Sequence, residues 1–144
     1  MTGVQTCALP ILSKKILLCD DEPHILRAAE IKFGRAGFEV ICACDGEIGW
    51  QRVQEFLPDI VVTDCQMPRL NGIGLAERIH NDPRTSNIPV IMLTGKRFEL
   101  SDQELREKFN IAAILGKPFS PRELLSRVET LLDIRPAELT PATV

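Results

Sequence analysis

Between Lys14 and Asp133, short apolar runs alternate with amphipathic stretches of helical period, five times over. Lys15-Ile16-Leu17-Leu18-Cys19, Ile60 to Thr63 and Val90 to Leu93 are too short for helices and lack polar alternation. That is the pattern of strands covered on both faces. Covered strands separated by helices demand a parallel sheet, helices on both sides and right-handed crossovers. The expected fold is therefore α/β, a (βα)5 doubly wound parallel five-stranded sheet.

Local signals punctuate this alternation. Pro23 suits the first turn of a helix that runs to Ala36, with Gly37 as its stop. Phe38 to Cys42 is the expected second strand. Asp45 can cap a second helix reaching about Phe56, which Pro58 ends. A third helix runs from about Gly72 to Asn81, closed by Asp82-Pro83. Ser101-x-x-Glu104 is a capping box that announces a fourth helix containing Leu105 and Phe109. Ile111 to Leu115 is the fifth strand. A second box, Ser120-Pro121-x-Glu123, opens a fifth helix whose apolar face is Leu124, Leu125, Val128, Leu131 and Leu132.

A parallel sheet gathers its strand ends on one edge, and ligands of open α/β sheets sit there. The chain places Asp20-Asp21 after the first strand, Asp64 after the third, Thr94 after the fourth and Lys117 after the fifth. Carboxylates crowded there repel each other unless a cation intervenes. Magnesium suits such a site, since it takes carboxylates, waters and phosphate oxygens. A carboxylate can also be a nucleophile that accepts a phosphoryl group as an acyl phosphate. Asp64, alone on the central strand, is the expected acceptor; the adjacent pair suits the metal. The Lys117 ammonium and the Thr94 hydroxyl would stabilise the transferred oxygens.

Here the residues strongly resemble the response-regulator receiver domain, the CheY-like family. The likeness is carried by Leu17-Leu18-Cys19-Asp20-Asp21-Glu22, Asp64-Cys65-Gln66-Met67-Pro68 with Asn71-Gly72, Leu93-Thr94-Gly95, and Gly116-Lys117-Pro118-Phe119. Four motifs in order on the expected strand ends make it specific, and it covers about Lys14 to Asp133.

The resemblance implies a flavodoxin-like strand order of 2-1-3-4-5. It implies phosphorylation of Asp64 by a histidine kinase or phosphotransfer protein, with Mg2+. Asp21 and Asp64 would ligate the ion through side chains, Gln66 through its backbone carbonyl, and Asp20 largely through water. Thr94 and Lys117 would contact the phosphoryl group and rearrange the loops after strands four and five. The face formed by helix four, strand five and helix five would then change its affinity for a partner. Gln66 and Lys96 occupy positions that tune dephosphorylation in this family. The expected protein is thus a switch in two-component signalling, at most catalysing its own phosphorylation and dephosphorylation, as a monomer or a phosphorylation-dependent dimer.

This chain departs from the family pattern twice. Ile114 stands where an aromatic residue usually moves inward on activation, and the chain has no tyrosine. The stretch from Thr94 to Lys117 is about one residue longer than the commonest pattern.

At 144 residues with net charge −3, the chain has room for one domain and no basic patch for nucleic acid or anionic membrane. No apolar run approaches the roughly 20 residues of a spanning helix. Five cysteines, mostly within expected strands, fit buried thiols in a reducing cytoplasm. Cys42-x-Cys44 reads as core packing rather than a zinc site, and Cys65 as a bystander with its side chain away from Asp64. His24 and His80 are expected on exposed helix faces, with Trp50 half-buried.

Residues 1–11, MTGVQTCALPI, back-translate from a GTG start into a common sequencing-adapter oligonucleotide, and are expected to be an assembly artefact. Residues 12–134 form the expected domain, and 135–144 a disordered tail or linker stub. Two other activities on this kind of fold meet obstacles. An FMN-binding electron carrier needs a Ser/Thr/Gly loop after strand one, where Asp20-Asp21-Glu22-Pro23 stands. A haloacid-dehalogenase-type phosphatase needs Asp two residues after its nucleophile, where Gln66 stands. The alternatives within the resemblance are a receiver module of a longer regulator or hybrid kinase, and a receiver-like interaction domain working without phosphorylation.

Overall fold

A computed structural model describes residues 14–95, 107 and 111–132. Five strands, β1 (Lys15–Cys19), β2 (Glu39–Ala43), β3 (Ile60–Asp64), β4 (Val90–Thr94) and β5 (Ile111–Gly116), form one sheet in the order β2-β1-β3-β4-β5, all paired parallel. The described helices are α1 (Pro23–Arg35), α2 (Gly46–Phe56), α3 (Gly72–Asn81) and α4 (Pro121–Leu131). The flavodoxin-like α/β architecture is therefore as expected. The helix announced by Ser101 and Glu104 falls outside the described residues, as do Lys96, Leu105 and Phe109.

Two cores sandwich the sheet. On one face Ile16, Leu18, Val62 and Leu93 meet Ala29 and Phe33 of α1 and Leu124 and Val128 of α4. On the other, Leu17, Val61 and Met92 meet Val53 of α2 and Leu75, Ala76 and Ile79 of α3. Every residue of β3 is buried, so its last residue, Asp64, is fixed by neighbours on both sides. The β4–β5 register slips between Val90 and Ile91, stepping from Ile111 to Ala113. That irregularity puts Ile111 and Ile114 on the α2–α3 side and Ala113 and Leu115 on the other.

The local signals act through named bonds. Asp45 caps α2 by accepting the Ile48 N–H at 2.8 Å, Asn71 caps α3 through the Gly74 N–H at 2.8 Å, and Ser120 caps α4 through the Glu123 N–H at 3.1 Å. Gly37 supplies the positive φ of 98° after α1.

Three details differ from expectation. Strand two runs Glu39–Ala43, one residue later than its apolar run, because its ladder with β1 begins at Lys15↔Glu39. The apolar face of α4 is narrower than its leucines suggest. Leu124 and Val128 are buried, Leu125 and Leu132 pack partly, and Leu131 is 36% exposed. Cys42 packs partly into the core, but Cys44 lies beyond the end of β2 and is exposed.

Candidate functional site

The carboxyl ends of β1, β3, β4 and β5 converge on a cleft of ≈ 300 Å³ lined by Asp21, Glu22, Asp64, Cys65, Gln66, Thr94, Gly95 and Lys117. The sheet positions each group. Asp20 follows β1 and is tied to β2 through its N–H, which donates to the Ala43 carbonyl at 3.1 Å. Lys117 follows β5, and its N–H donates to the Thr94 carbonyl at 2.7 Å. Thr94 ends β4 directly beside β5, paired with Gly116.

The loop from Cys65 to Asn71 is held by close backbone approach. The Gly72 N–H donates to the Cys65 carbonyl at 2.8 Å. A Cβ at Gly72 would run into the Asp64 carbonyl oxygen, and one at Gly46 into that of Leu70. Only glycine permits this packing.

Lys117 is the electrostatic centre. Its Nζ donates to Glu22 Oε1 at 3.0 Å and to Asp64 Oδ2 at 3.1 Å, and lies 3.2 Å from Asp20 Oδ2. Burial pulls the ammonium pKa down, but contacts with Glu22, Asp64 and Asp20 outweigh it, and the net shift is upward. Lys117 stays a cation across the physiological range.

Asp20 is in a less comfortable place. Only 2% of the residue is exposed. Its Oδ1 accepts the Glu22 N–H at 2.9 Å, while its buried Oδ2 receives no directed hydrogen bond. Oδ2 is held by Lys117 as an ion pair at 3.2 Å, a longer contact than the ammonium's bonds to Glu22 and Asp64. Burial and the neighbouring Asp64 charge raise the Asp20 pKa, against the opposing pull of the Glu22 N–H and Lys117.

Asp20, Asp21 and Asp64 each offer a carboxylate oxygen, all within 4.8 Å of one another. A donor set of hard oxygens with one buried, unsatisfied member fits a hard divalent cation. Among the expected site residues, Asp64 is 6% exposed and also accepts the Gln66 N–H at 3.4 Å. The neighbouring Cys65 is buried in the α2–α3 core, and burial, with Asp64 beside it, pushes its thiol up to about 11. It stays protonated and unreactive at neutral pH.

Glu22 is the site residue that the sequence reading missed. It occupies the N-cap position of α1 without capping it, and its side chain turns to Lys117 instead. A poor capping residue directly after an acidic pair was the only local signal. His24 is exposed, with its Nε2 3.9 Å from Glu22 Oε2; His80 is also exposed.

The family model described as the response regulator receiver domain matches residues 16–129. The chain belongs to the response regulator receiver family. This receiver domain is 30% identical, with a TM-score of 0.75, to the crystal structure of a putative response regulator from Chloroflexus aurantiacus, covering 84% of this chain and 98% of that one. It is 35% identical over 120 residues to the DNA-binding dual master transcriptional regulator RpaA of Synechocystis, covering 82% of this chain and 48% of RpaA. It is 33% identical over 126 residues to hybrid signal transduction histidine kinase D of Dictyostelium discoideum, covering 85% of this chain and 8% of that protein.

The chain thus spans about half the length, or less, of the curated relatives it matches. RpaA's name does not match the expectation of no nucleic-acid partner. That expectation came from the charge of this stretch, which describes the receiver domain and not the remainder of such relatives. No described helix is long and apolar enough to cross a membrane.

Proposed function

We propose that this receiver domain is switched by phosphorylation of Asp64, with a histidine kinase or phosphotransfer protein as donor and Mg2+ bound by the acidic cluster. The observation that carries this reading is the convergence of the Asp20, Asp21 and Asp64 carboxylate oxygens within 4.8 Å of one another, with the Lys117 ammonium 3.1 Å from Asp64 Oδ2. Asp20, Asp21 and Asp64 would hold the ion through their carboxylates, with the neighbouring Gln66 carbonyl available as a further oxygen donor. When bound, the ion offsets carboxylate repulsion and neutralises charge on the phosphoryl oxygens.

An Asp64 carboxylate oxygen attacks phosphorus, and the O–P bond forms as the donor's P–N bond breaks. The electron pair leaves with the imidazole, which takes a proton from water. Lys117 and the Thr94 hydroxyl stabilise the equatorial oxygens, where charge accumulates. Their attachment to the phosphoryl group then draws on the segments after β4 and β5, altering a partner-binding face. Ile114 is packed beside the α2–α3 core on β5, so this chain's readout differs from one based on an aromatic switch. The chain acts by binding rather than turnover. A cytoplasmic setting suits a kinase donor and the four free thiols among the described residues.

Intact-mass spectrometry after incubation with acetyl phosphate tests the reading, with and without Mg2+ and with Asp64→Asn alongside. The expected result is a single Mg2+-dependent phosphoryl adduct that is absent from the variant. An adduct persisting in Asp64→Asn would move the acceptor elsewhere. No adduct under any condition would favour a receiver domain that works without phosphorylation.

A further inference from the structure

We propose that Glu22 is a positioning residue for Lys117, holding the ammonium toward the phosphoryl site while the other carboxylates are engaged. The proposal rests on the phosphorylation reading of Asp64. Three carboxylates surround Lys117 Nζ, those of Glu22, Asp64 and Asp20, at 3.0, 3.1 and 3.2 Å. Two of these have other work in that reading: Asp64 accepts the phosphoryl group and ligates metal, and Asp20 serves the metal. Neither can then hold Lys117 as it does here. Of these three described carboxylates, Glu22 is the one whose contact phosphorylation does not consume.

Its conformation fits this role. Glu22 occupies the N-cap of α1 with extended backbone (φ −94°, ψ 108°), yet makes no capping bond. Its own N–H is fixed by Asp20 Oδ1 at 2.9 Å, which ties the base of the side chain to the acidic cluster. The side chain forgoes the usual use of that position and spans 95 residues of sequence to reach Lys117. A lysine is a point charge on a flexible four-carbon stem, so a fixed partner reduces the positions its ammonium explores. The Glu22 side chain is 46% exposed, so solvent screens the contact and its effect is moderate.

The test uses the full chain, its Glu22→Gln and Glu22→Asp variants, and the same two substitutions combined with Lys117→Ala. Initial phosphorylation rates are measured against acetyl phosphate concentration at saturating Mg2+. Exchange of the Lys117 ammonium protons is followed by NMR without Mg2+ or donor. Glu22→Gln is expected to lower the limiting rate about fivefold, leaving half-saturation unchanged, the scale of one partly exposed charged contact. It is also expected to speed the exchange, while Glu22→Asp restores part of both. With Lys117→Ala, neither Glu22 substitution should have a further effect, because the residue acts through the lysine.

An equal or faster limiting rate in Glu22→Gln overturns the proposal; a faster one would make Glu22 a brake. Unchanged ammonium exchange, or equal effects with and without Lys117, overturns it as well. If the unsubstituted chain takes no phosphoryl group, the phosphorylation reading falls and this proposal with it. If it does, and Glu22→Gln matches it in rate and exchange, only this proposal falls.

Discussion

Asp20 and Asp45 are both buried, and both follow neighbouring strands on the same edge of the sheet, yet their surroundings assign them opposite work. Asp45, 6% exposed, accepts the Ile48 N–H and lies 3.8 Å from the exposed Arg69 guanidinium. Its charge meets the first turn of α2, where free N–H groups favour an anion. Asp20, 2% exposed, has an Oδ2 that meets the Lys117 ammonium at 3.2 Å without a well-directed hydrogen bond and sits beside two more aspartates. The first carboxylate serves the fold and the second strains it. A buried charge kept in an unfavourable setting points to a ligand that completes it.

The largest expected effect comes from the metal. At a Mg2+ concentration near 100 times the dissociation constant, the folded state should gain about 2.7 kcal/mol. Thermal unfolding with and without Mg2+ measures this gain. Asp45→Ala should keep it, whereas Asp20→Asn should lose most of it. Equal gains in all three proteins would erase the distinction between the two aspartates.

Without metal, the two substitutions should differ in sign. Asp45→Ala removes a helix cap and should cost about 1 kcal/mol. Asp20→Asn keeps an acceptor for the Glu22 N–H while removing a charge that burial and Asp64 both disfavour, so it should be neutral or stabilising. Urea denaturation of both variants decides this. A destabilised Asp20→Asn would mean that its ion pair with Lys117 outweighs the repulsion.

The smallest effect is a slope. Because the Asp20 pKa is raised, the folded protein retains a proton that the unfolded chain has already lost just above the ordinary value of 3.8. The Asp20 contribution to metal-free stability therefore declines as pH rises from that value through the raised one. Glu22, whose pKa is lowered mainly by its hydrogen bond to Lys117, contributes in the opposite sense and loses its contribution on acidification. Subtracting the stability profile of Asp20→Asn from that of the unsubstituted protein isolates the Asp20 slope. A flat difference would place Asp20 in a better-solvated setting than its burial indicates.

Much of this edge was legible in the sequence because a parallel sheet turns sequence position into spatial position. Once β1, β3, β4 and β5 were recognised by their unbroken apolar runs, Asp20, Asp21, Asp64, Thr94 and Lys117 had to share one edge. The cap at Asp45 and the box at Ser120 were legible because their bonds span only three residues. The Glu22 contact was not, since it depends on which way one side chain turns across 95 residues. Leu131 and Cys44 failed for a related reason. Periodicity identifies a face but not where its cover ends, and both residues lie at the end of, or just past, their element.

Gly46 and Gly72 leave a mark on the gene as well as on the molecule. Every missense change in a glycine codon adds a Cβ atom, and at these positions that atom has backbone in its way. Both positions are therefore closed to replacement, whatever partner the protein serves. Gly34, within α1, has nothing within 4 Å of the atom it lacks, and its codon is free to wander. A library built to give this chain a new partner should vary the second kind of glycine and leave the first alone.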